Sequence, residues 1–274
     1  MSAALATGPW RDLRKRLATA LVLAPLVLVC IWLGEGWFDA LMAVCMAGMA
    51  WEWVRMCGGT RRDAAMVALP AGVLLASGLS AFGLPWAGLL LLAPAAALVW
   101  RLAPPLPPRF LASGLLYLGL AGVALLTLRH DPTVGRANVI FILLVVWASD
   151  TGAYMAGRAL GGPKLAPAIS PGKTWSGAAG GLAGAMLVGL LAAALTEPGG
   201  GLLRAALVAG VLGVVSQAGD LLESGIKRRF GVKDSSQLIP GHGGLLDRLD
   251  GILAVAPVAA ALGVILGSGV YLWR

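Results

Sequence analysis

The sequence predicts an all-α polytopic membrane protein with about nine transmembrane helices. Of the 274 residues, 58% are hydrophobic and only 12% are charged, and the mean hydropathy is +0.84. Soluble globular domains carry about twice this share of charged residues, so the composition excludes that class. Apolar segments of roughly 17 to 22 residues recur, which is about the length a helix needs to cross the hydrocarbon core.

Nine apolar segments follow one another along the chain. Their approximate ranges are 17–34, 37–54, 64–83, 86–100, 110–128, 137–156, 175–195, 201–222 and 252–272. The seventh and eighth contain many small residues, in "SGAAGGLAGAMLVG" and "AGVLGVVSQAG". Because small side chains let helix backbones approach closely, we expect these two helices to pack tightly.

The positions of lysine and arginine predict the orientation, because basic residues are retained on the cytoplasmic side. With a cytoplasmic N-terminus, 17 of the 21 basic residues lie inside, and those left outside are Arg129, Arg136, Arg204 and Arg274. The C-terminus is then exterior. Topology also explains most of the net charge of +8, which therefore does not indicate a nucleic-acid partner. Compact size and topology predict a multi-pass protein of a bacterial inner (plasma) membrane.

The two halves of the chain differ in their polar residues. In residues 1–136, about five helices are joined by short loops, and the polar residues indicate topology signals or interfacial anchors rather than chemistry. In residues 137–274, two long loops appear, "GRALGGPKLAPAISPGKT" and "ESGIKRRFGVKDSSQLIPGHGGLLDRLD". Both loops fall on the cytoplasmic side, so we predict that residues 137–274 form a catalytic region facing the cytoplasm.

Asp220 lies at the cytoplasmic end of the eighth segment. If the helix continues, Asp220 shares one face with Glu223, Ser224 and Lys227, since residues three, four and seven apart lie on the same side. An ionised carboxylate near hydrocarbon is costly and usually serves a function. The structural alternative is a solvated helix end.

A second group of charges precedes the ninth segment, in "PGHGGLLDRLDG". Asp247 and Asp250 are three residues apart, with Arg248 between them. The helix dipole explains one acidic residue in a first turn, but not a loop that also holds Lys233 and His242. Carboxylates mixed with basic residues suit magnesium and phosphate together, because the metal prefers oxygen ligands and phosphate oxygens prefer cationic donors.

A third polar stretch is "SDTGAYMAGRALGGPKLAPAISPGKTWSG". Asp150 ends an apolar segment, and the following loop offers Lys173 and Thr174. The "PGKT" within it is not a P-loop, because that motif needs glycine where the chain has Pro167, and a preceding strand is not predicted. We expect a polar, partly basic loop that contacts a nucleotide.

The segment "SGIKRRFGVKDSSQLIPGHGGLLDRLDG" closely resembles the signature of the phosphatidate cytidylyltransferases, also called CDP-diacylglycerol synthases. That signature reads S-x-x-K-R-x4-K-D, a short gap, P-G-H-G-G, two apolar residues and D-R-x-D. "SDTGAY" and "ISPGKTWSG" also look like this family, so the resemblance covers roughly residues 149–251. It implies an enzyme that joins CTP and phosphatidic acid to give CDP-diacylglycerol and pyrophosphate with Mg²⁺, and it suggests a homodimer.

Spacing and resemblance together assign the site residues. We predict Asp220 and Asp247 as the carboxylates that bind Mg²⁺, and Lys227 and Arg248 as further catalytic residues. The predicted substrate-binding residues are Asp150, Lys173, Thr174, Ser224, Arg228, Lys233, His242 and Asp250.

Two other functions would also place charges among membrane helices. A transporter or channel would hold them nearer the bilayer midplane and would not need a long charged loop. A CTP-dependent lipid kinase would share nucleotide and metal residues but would transfer the γ-phosphoryl group, so it would release CDP instead of pyrophosphate.

Overall fold

The computed structural model describes residues 9–196, 201–239, 241 and 243–274. Across these residues the chain forms nine α-helices and one two-stranded sheet. The helices are α1 (Pro9–Leu33), α2 (Glu35–Met56), α3 (Ala65–Ala81), α4 (Pro85–Leu102), α5 (Pro108–Arg129), α6 (Gly135–Leu160), α7 (Trp175–Thr196), α8 (Leu202–Arg229) and α9 (Leu246–Leu266). Each corresponds to one predicted segment.

Six of these helices, α4 to α9, are long and apolar enough to cross a membrane. In α1 the side chains described from Leu21 to Leu33 form an apolar stretch shorter than a span, and α3 is also short for a span. The chain is therefore a multi-pass membrane protein. That all nine helices cross the bilayer, and which side each terminus faces, stay predictions.

The polar loop after α6 contains a short β hairpin, so the all-α prediction is wrong there. Strand β1 (Lys164–Ala166) pairs antiparallel with β2 (Ser170–Thr174). The "PGKT" residues lie in β2 rather than in a phosphate-binding loop. At the end of β2, Thr174 Oγ1 accepts a hydrogen bond of 3.1 Å from the Gly177 amide, which caps the start of α7. Lys173 is thereby held at this helix terminus.

Helix α9 is displaced from its predicted range. It begins at Leu246 rather than at residue 252, so Asp247 and Asp250 lie in its first turns, and it ends at Leu266 rather than at residue 272. Gly267 has a φ of +94°, a conformation that glycine adopts without strain. The remaining residues fold back onto the bundle, where the Trp273 ring packs against Phe141.

Small residues bring α6, α7 and α8 close together, which confirms the packing predicted for the glycine-rich segments. A Cβ at Gly180 in α7 would lie 2.7 Å from the Gly152 carbonyl oxygen in α6. On the other side, a Cβ at Gly189 would meet the backbone of Ala205 in α8. This close approach places the polar ends of the three helices side by side.

The two halves of the chain share one apolar core. Large side chains from α2, α3 and α5 are fully buried, among them Trp53, Leu69 and Leu115. Helix α5 also packs against α9, and Tyr117 Oη in α5 donates a hydrogen bond of 3.3 Å to the Asp250 carbonyl oxygen. The N-terminal helices therefore support the helix that carries Asp247 and Asp250.

Candidate active site

Charged side chains from four elements meet at one end of the bundle. They are Asp150 from α6, Lys173 from β2, Asp220 from α8, and Arg248 and Asp250 from α9. The carboxylates of Asp150, Asp220 and Asp250 are close enough to repel one another, while Lys173 and Arg248 both attract that of Asp150. Residues from the three polar stretches singled out in the sequence therefore lie in one cluster.

A cavity of about 570 Å³ opens at this cluster, within the size range of small-molecule sites. Four of the predicted residues line it: Asp150, Lys173, Thr174 and Asp220. Tyr154 and Arg158 extend the α6 wall, and Arg158 Nη1 donates a hydrogen bond of 2.9 Å to Tyr154 Oη. Sequence reasoning gave no role to Gln217, which also lines the cavity and donates to the Ala178 carbonyl oxygen at 3.3 Å.

The predicted polar face of α8 is confirmed. Lys173 Nζ lies 2.6 Å from Asp220 Oδ2, and Ser224 Oγ is 3.3 Å from Asp220 Oδ1. One turn later, Lys227 is buried and its Nζ lies 3.2 Å from Glu223 Oε1. Lys227 and Glu223 are thus within ion-pair distance, but their contact lacks hydrogen-bond geometry. The face therefore joins α8 to β2 through Asp220.

Asp247 binds the loop between α8 and α9 to both helices. Its Oδ1 accepts a hydrogen bond of 2.5 Å from Lys227 Nζ. Its Oδ2 accepts hydrogen bonds from the Ser235 amide and hydroxyl, both at 2.9 Å, and from the Gly244 amide at 2.8 Å. Asp247 is thus a buried junction, and it does not line the cavity.

The donor set fits a divalent cation. Each of the two predicted metal carboxylates holds a lysine ammonium, Lys173 on Asp220 and Lys227 on Asp247, so each presents an oxygen to a positive charge. No group of three acidic, histidine or cysteine side chains in the described ranges forms a ready-made metal cluster. Magnesium does not need one, because it is commonly bound through one or two carboxylates together with substrate phosphates.

Four of the predicted substrate-binding residues that the structure describes do not line the cavity: Ser224, Arg228, Lys233 and Asp250. Arg228 donates hydrogen bonds to the carbonyl oxygens of Ile169 at 3.3 Å and Val232 at 3.0 Å, so it bridges the hairpin turn and the following loop. Lys233 is exposed on that loop. His242 lies outside the described residues.

The expectation that polar residues in 1–136 serve only topology and anchoring is wrong for Glu52. This residue of α2 is fully buried and accepts hydrogen bonds from the amides of Leu245 and Leu246, both at 2.9 Å. The stretch "AWEWV" already indicated a specific role for this residue, because a carboxylate inside an apolar helix is costly. The pairing with residues so distant in sequence could not be read from spacing.

The fold and the site define a membrane protein with a cavity of about 570 Å³, bordered by charged side chains, at one end of its helix bundle. Residues 14–266 match the cytidylyltransferase family, and the chain belongs to this family.

Similar proteins named phosphatidate cytidylyltransferase occur in several bacteria. One from Brucella suis is 41% identical over 94% of this chain and 95% of its own length. One from Pseudomonas aeruginosa is 40% identical over 91% of this chain and 96% of its own length. One from Haemophilus influenzae is 36% identical over 89% of this chain and 96% of its own length.

Proposed function

We propose that the chain converts CTP and phosphatidic acid to CDP-diacylglycerol and pyrophosphate. The observation that carries this proposal is the cavity lined by Asp150, Lys173 and Asp220, in which Lys173 pairs with Asp220, together with the Lys227–Asp247 pair further along α8. Family membership gives the reaction class, and the names of the relatives give the lipid substrate.

The reaction joins two polyanions. A phosphate oxygen of phosphatidic acid forms a bond to the α-phosphorus of CTP, and the bond from that phosphorus to the oxygen bridging the β-phosphorus breaks. Pyrophosphate leaves with the electron pair. Because the attacking oxygen is already anionic, no strong general base is required. The site has to position the partners and neutralise their charge.

The basic residues suit this requirement. Lys173 lines the cavity, Lys227 pairs with Asp247, and Arg248 attracts the cavity-lining Asp150. We assign all three to phosphate oxygens of CTP and the lipid. Thr174, Ser224 and Asp150 lie at the same cluster and are proposed to orient the nucleotide or headgroup. Arg228, Lys233 and His242 are also proposed to contact phosphate.

We assign Asp220 and Asp247 to Mg²⁺, with Asp250 and Asp150 as further acidic neighbours. Bound there, the metal would neutralise charge on the attacking and leaving oxygens. A cation on these carboxylates would take the places of the Lys173 and Lys227 ammonium groups, which would then be available to phosphate. Activity of wild-type protein that persists in EDTA would overturn this assignment.

The proposal also covers the membrane in which the protein lies, the side that its site faces, and its oligomeric state. We propose an inner-membrane protein whose site faces the cytoplasm, supported by the basic loops and the bacterial relatives. Labelling of Gln237→Cys by an impermeant maleimide only after permeabilisation would support this orientation, and labelling in intact cells would refute it. We also propose a homodimer, which light scattering in detergent tests directly.

The reaction is tested by product analysis. Detergent-purified protein with magnesium, CTP and phosphatidic acid is expected to release pyrophosphate only when the lipid is present, and Asp247→Asn should lower this rate by about 100-fold while leaving a measurable residual rate. Release of CDP instead would indicate a lipid kinase. No turnover by folded protein would favour a transporter.

A further inference from the structure

Glu52 places a carboxylate beneath the loop that precedes α9. Its Oε1 accepts hydrogen bonds from Ser236 Oγ at 2.6 Å and the Leu245 amide at 2.9 Å. Its Oε2 accepts from the Leu246 amide at 2.9 Å and lies 3.2 Å from Ser235 Oγ, whose single hydrogen is shared between this oxygen and Asp247 Oδ2. All four donors belong to residues 235–246, whereas Glu52 belongs to α2. A fully buried carboxylate is costly unless it is bound in this way.

Two of these bonds hold the start of α9. The first N–H groups of a helix have no partner within it, and here the amides of Leu245 and Leu246 bind Glu52. A negative charge at this position also complements the helix dipole. Glu52 therefore fixes the first turn of the helix that carries Asp247, Arg248 and Asp250.

The other bonds connect Glu52 to Asp247. Ser235 binds Asp247 Oδ2 through its amide and hydroxyl, and the same hydroxyl contacts Glu52 Oε2. Gly244 donates its amide to Asp247 Oδ2, and a Cβ at Gly244 would overlap Ser235 Oγ and lie 2.6 Å from Glu52 Oε1. The two carboxylates, the serine and the glycine thus form one packed unit.

We propose that Glu52 is a positioning residue for cytidylyl transfer. It does not line the cavity; it holds Ser235, Gly244 and the first turn of α9, so that Asp247 keeps its orientation toward Lys227. Residues that hydrogen-bond to a functional side chain or to its partners commonly fix the orientation of that side chain in this manner. The inference rests on the catalytic role proposed for Asp247.

Glu52→Gln tests it with little change in volume. All four partners donate hydrogen bonds, and each Glu52 oxygen accepts one from a backbone amide. In the glutamine variant the side-chain NH₂ group must therefore face a backbone N–H, which cannot act as an acceptor. We expect kcat to fall about tenfold or more, with little change in KM for CTP because the cavity lining is untouched. Asp39→Asn is the control. It makes the same chemical change on α2, where Asp39 Oδ1 lies 3.5 Å from His130 Nε2 at the opposite end of the bundle.

A double-mutant cycle with Asp247→Asn separates positioning from general destabilisation. The double variant should lose little more activity than Asp247→Asn alone. Folded Glu52→Gln with wild-type kcat, or losses that multiply in the double variant, would overturn the proposal. If Asp247→Asn alone retains wild-type activity, the role of Asp247 fails and the inference falls with it. Should Glu52→Gln not fold, Ser235→Ala decides: lowered kcat supports the proposal, and unchanged kcat overturns it.

Discussion

Lys173 Nζ lies 2.6 Å from Asp220 Oδ2 and faces the cavity. The Lys173 ammonium group neutralises the Asp220 carboxylate and can also bind a phosphate. This suits a site that must bind two polyanionic substrates. Its position at the junction of β2 and α7 is fixed by the Thr174 cap, so the ammonium group has a rigid base even though its side chain is flexible.

Lys173→Met is expected to lower kcat/KM for CTP by about 100-fold, because the variant removes a charge from phosphate oxygens in the transition state. Lys164→Met is the matched control, since Lys164 lies exposed on the neighbouring strand. Initial rates of pyrophosphate release give both values. Equal rates for the two variants would contradict the role of Lys173.

At the residue scale, the sequence predicted contacts along a helix better than contacts across loops. Asp220, Ser224 and Lys227 share a face because helical periodicity requires it. The partners of Asp247 depend on the path of residues 230–245, which no periodicity describes. Glu52 is bound by residues far along the chain, and this pairing arises only when α2 packs beside α9.

The close contact of α6 with α7 determines the shape of the cavity. Asp150 and Tyr154 come from α6, Thr174 from the end of β2 and Gly177 from the start of α7, and the glycines between the two helices set their separation. Any side chain at Gly180 would overlap Ala156 and the Gly152 carbonyl group.

Gly180→Leu should therefore destabilise the fold by about 1–3 kcal/mol through overpacking and reduce activity. Gly78→Leu is the control, because a Cβ at Gly78 in α3 meets nothing within 4 Å. Unfolding in detergent can be followed with a thiol-reactive dye, since Cys30 and Cys57 are buried. An unfolding midpoint for Gly180→Leu equal to that of the control would contradict this packing.

At the other end of the bundle, Asp131 joins the α5–α6 loop to the C-terminal segment. Its Oδ1 binds Thr133 and the Val134 amide, and Oδ2 accepts from the Gly269 amide at 2.8 Å. Partial burial raises the pKa of this carboxyl, but the hydrogen bonds, led by that from Gly269, outweigh it and hold the pKa below its ordinary value.

A lowered pKa means that the unfolded chain binds a proton more readily, so the stabilisation is present above about pH 4 and is lost as the pH falls through the folded value. Asp131→Asn should cost about 1 kcal/mol at neutral pH. Tryptophan fluorescence during thermal unfolding, at pH 7 and at pH 3, gives the difference. A wild-type advantage that is the same at both pH values would contradict the pKa direction.

At the element scale, the nine apolar segments sufficed to find the helices, because length and hydropathy are strong signals. The hairpin was missed because β1 and β2 are too short to show an alternating pattern. The start of α9 was placed too late because its first turns are polar, and only the surrounding structure keeps them helical.

Across the whole molecule, polarity is concentrated where a lipid and a soluble nucleotide can meet. The helices expose many large apolar side chains, as expected toward lipid, while the charged cluster lies at their ends. The N-terminal half contributes through its shared core and through Glu52, so an isolated C-terminal half would lack support for α9.

The most direct test follows the α-phosphate of CTP. With α-labelled CTP, phosphatidic acid and magnesium, we expect label in the lipid product, and with γ-labelled CTP we expect it only in pyrophosphate. Asp220→Asn should lower lipid labelling at least about 100-fold, whereas Asp63→Asn, in the exposed α2–α3 loop, should not. Label entering the lipid from the γ-phosphate, or full activity of folded Asp220→Asn, would contradict cytidylyl transfer at this site.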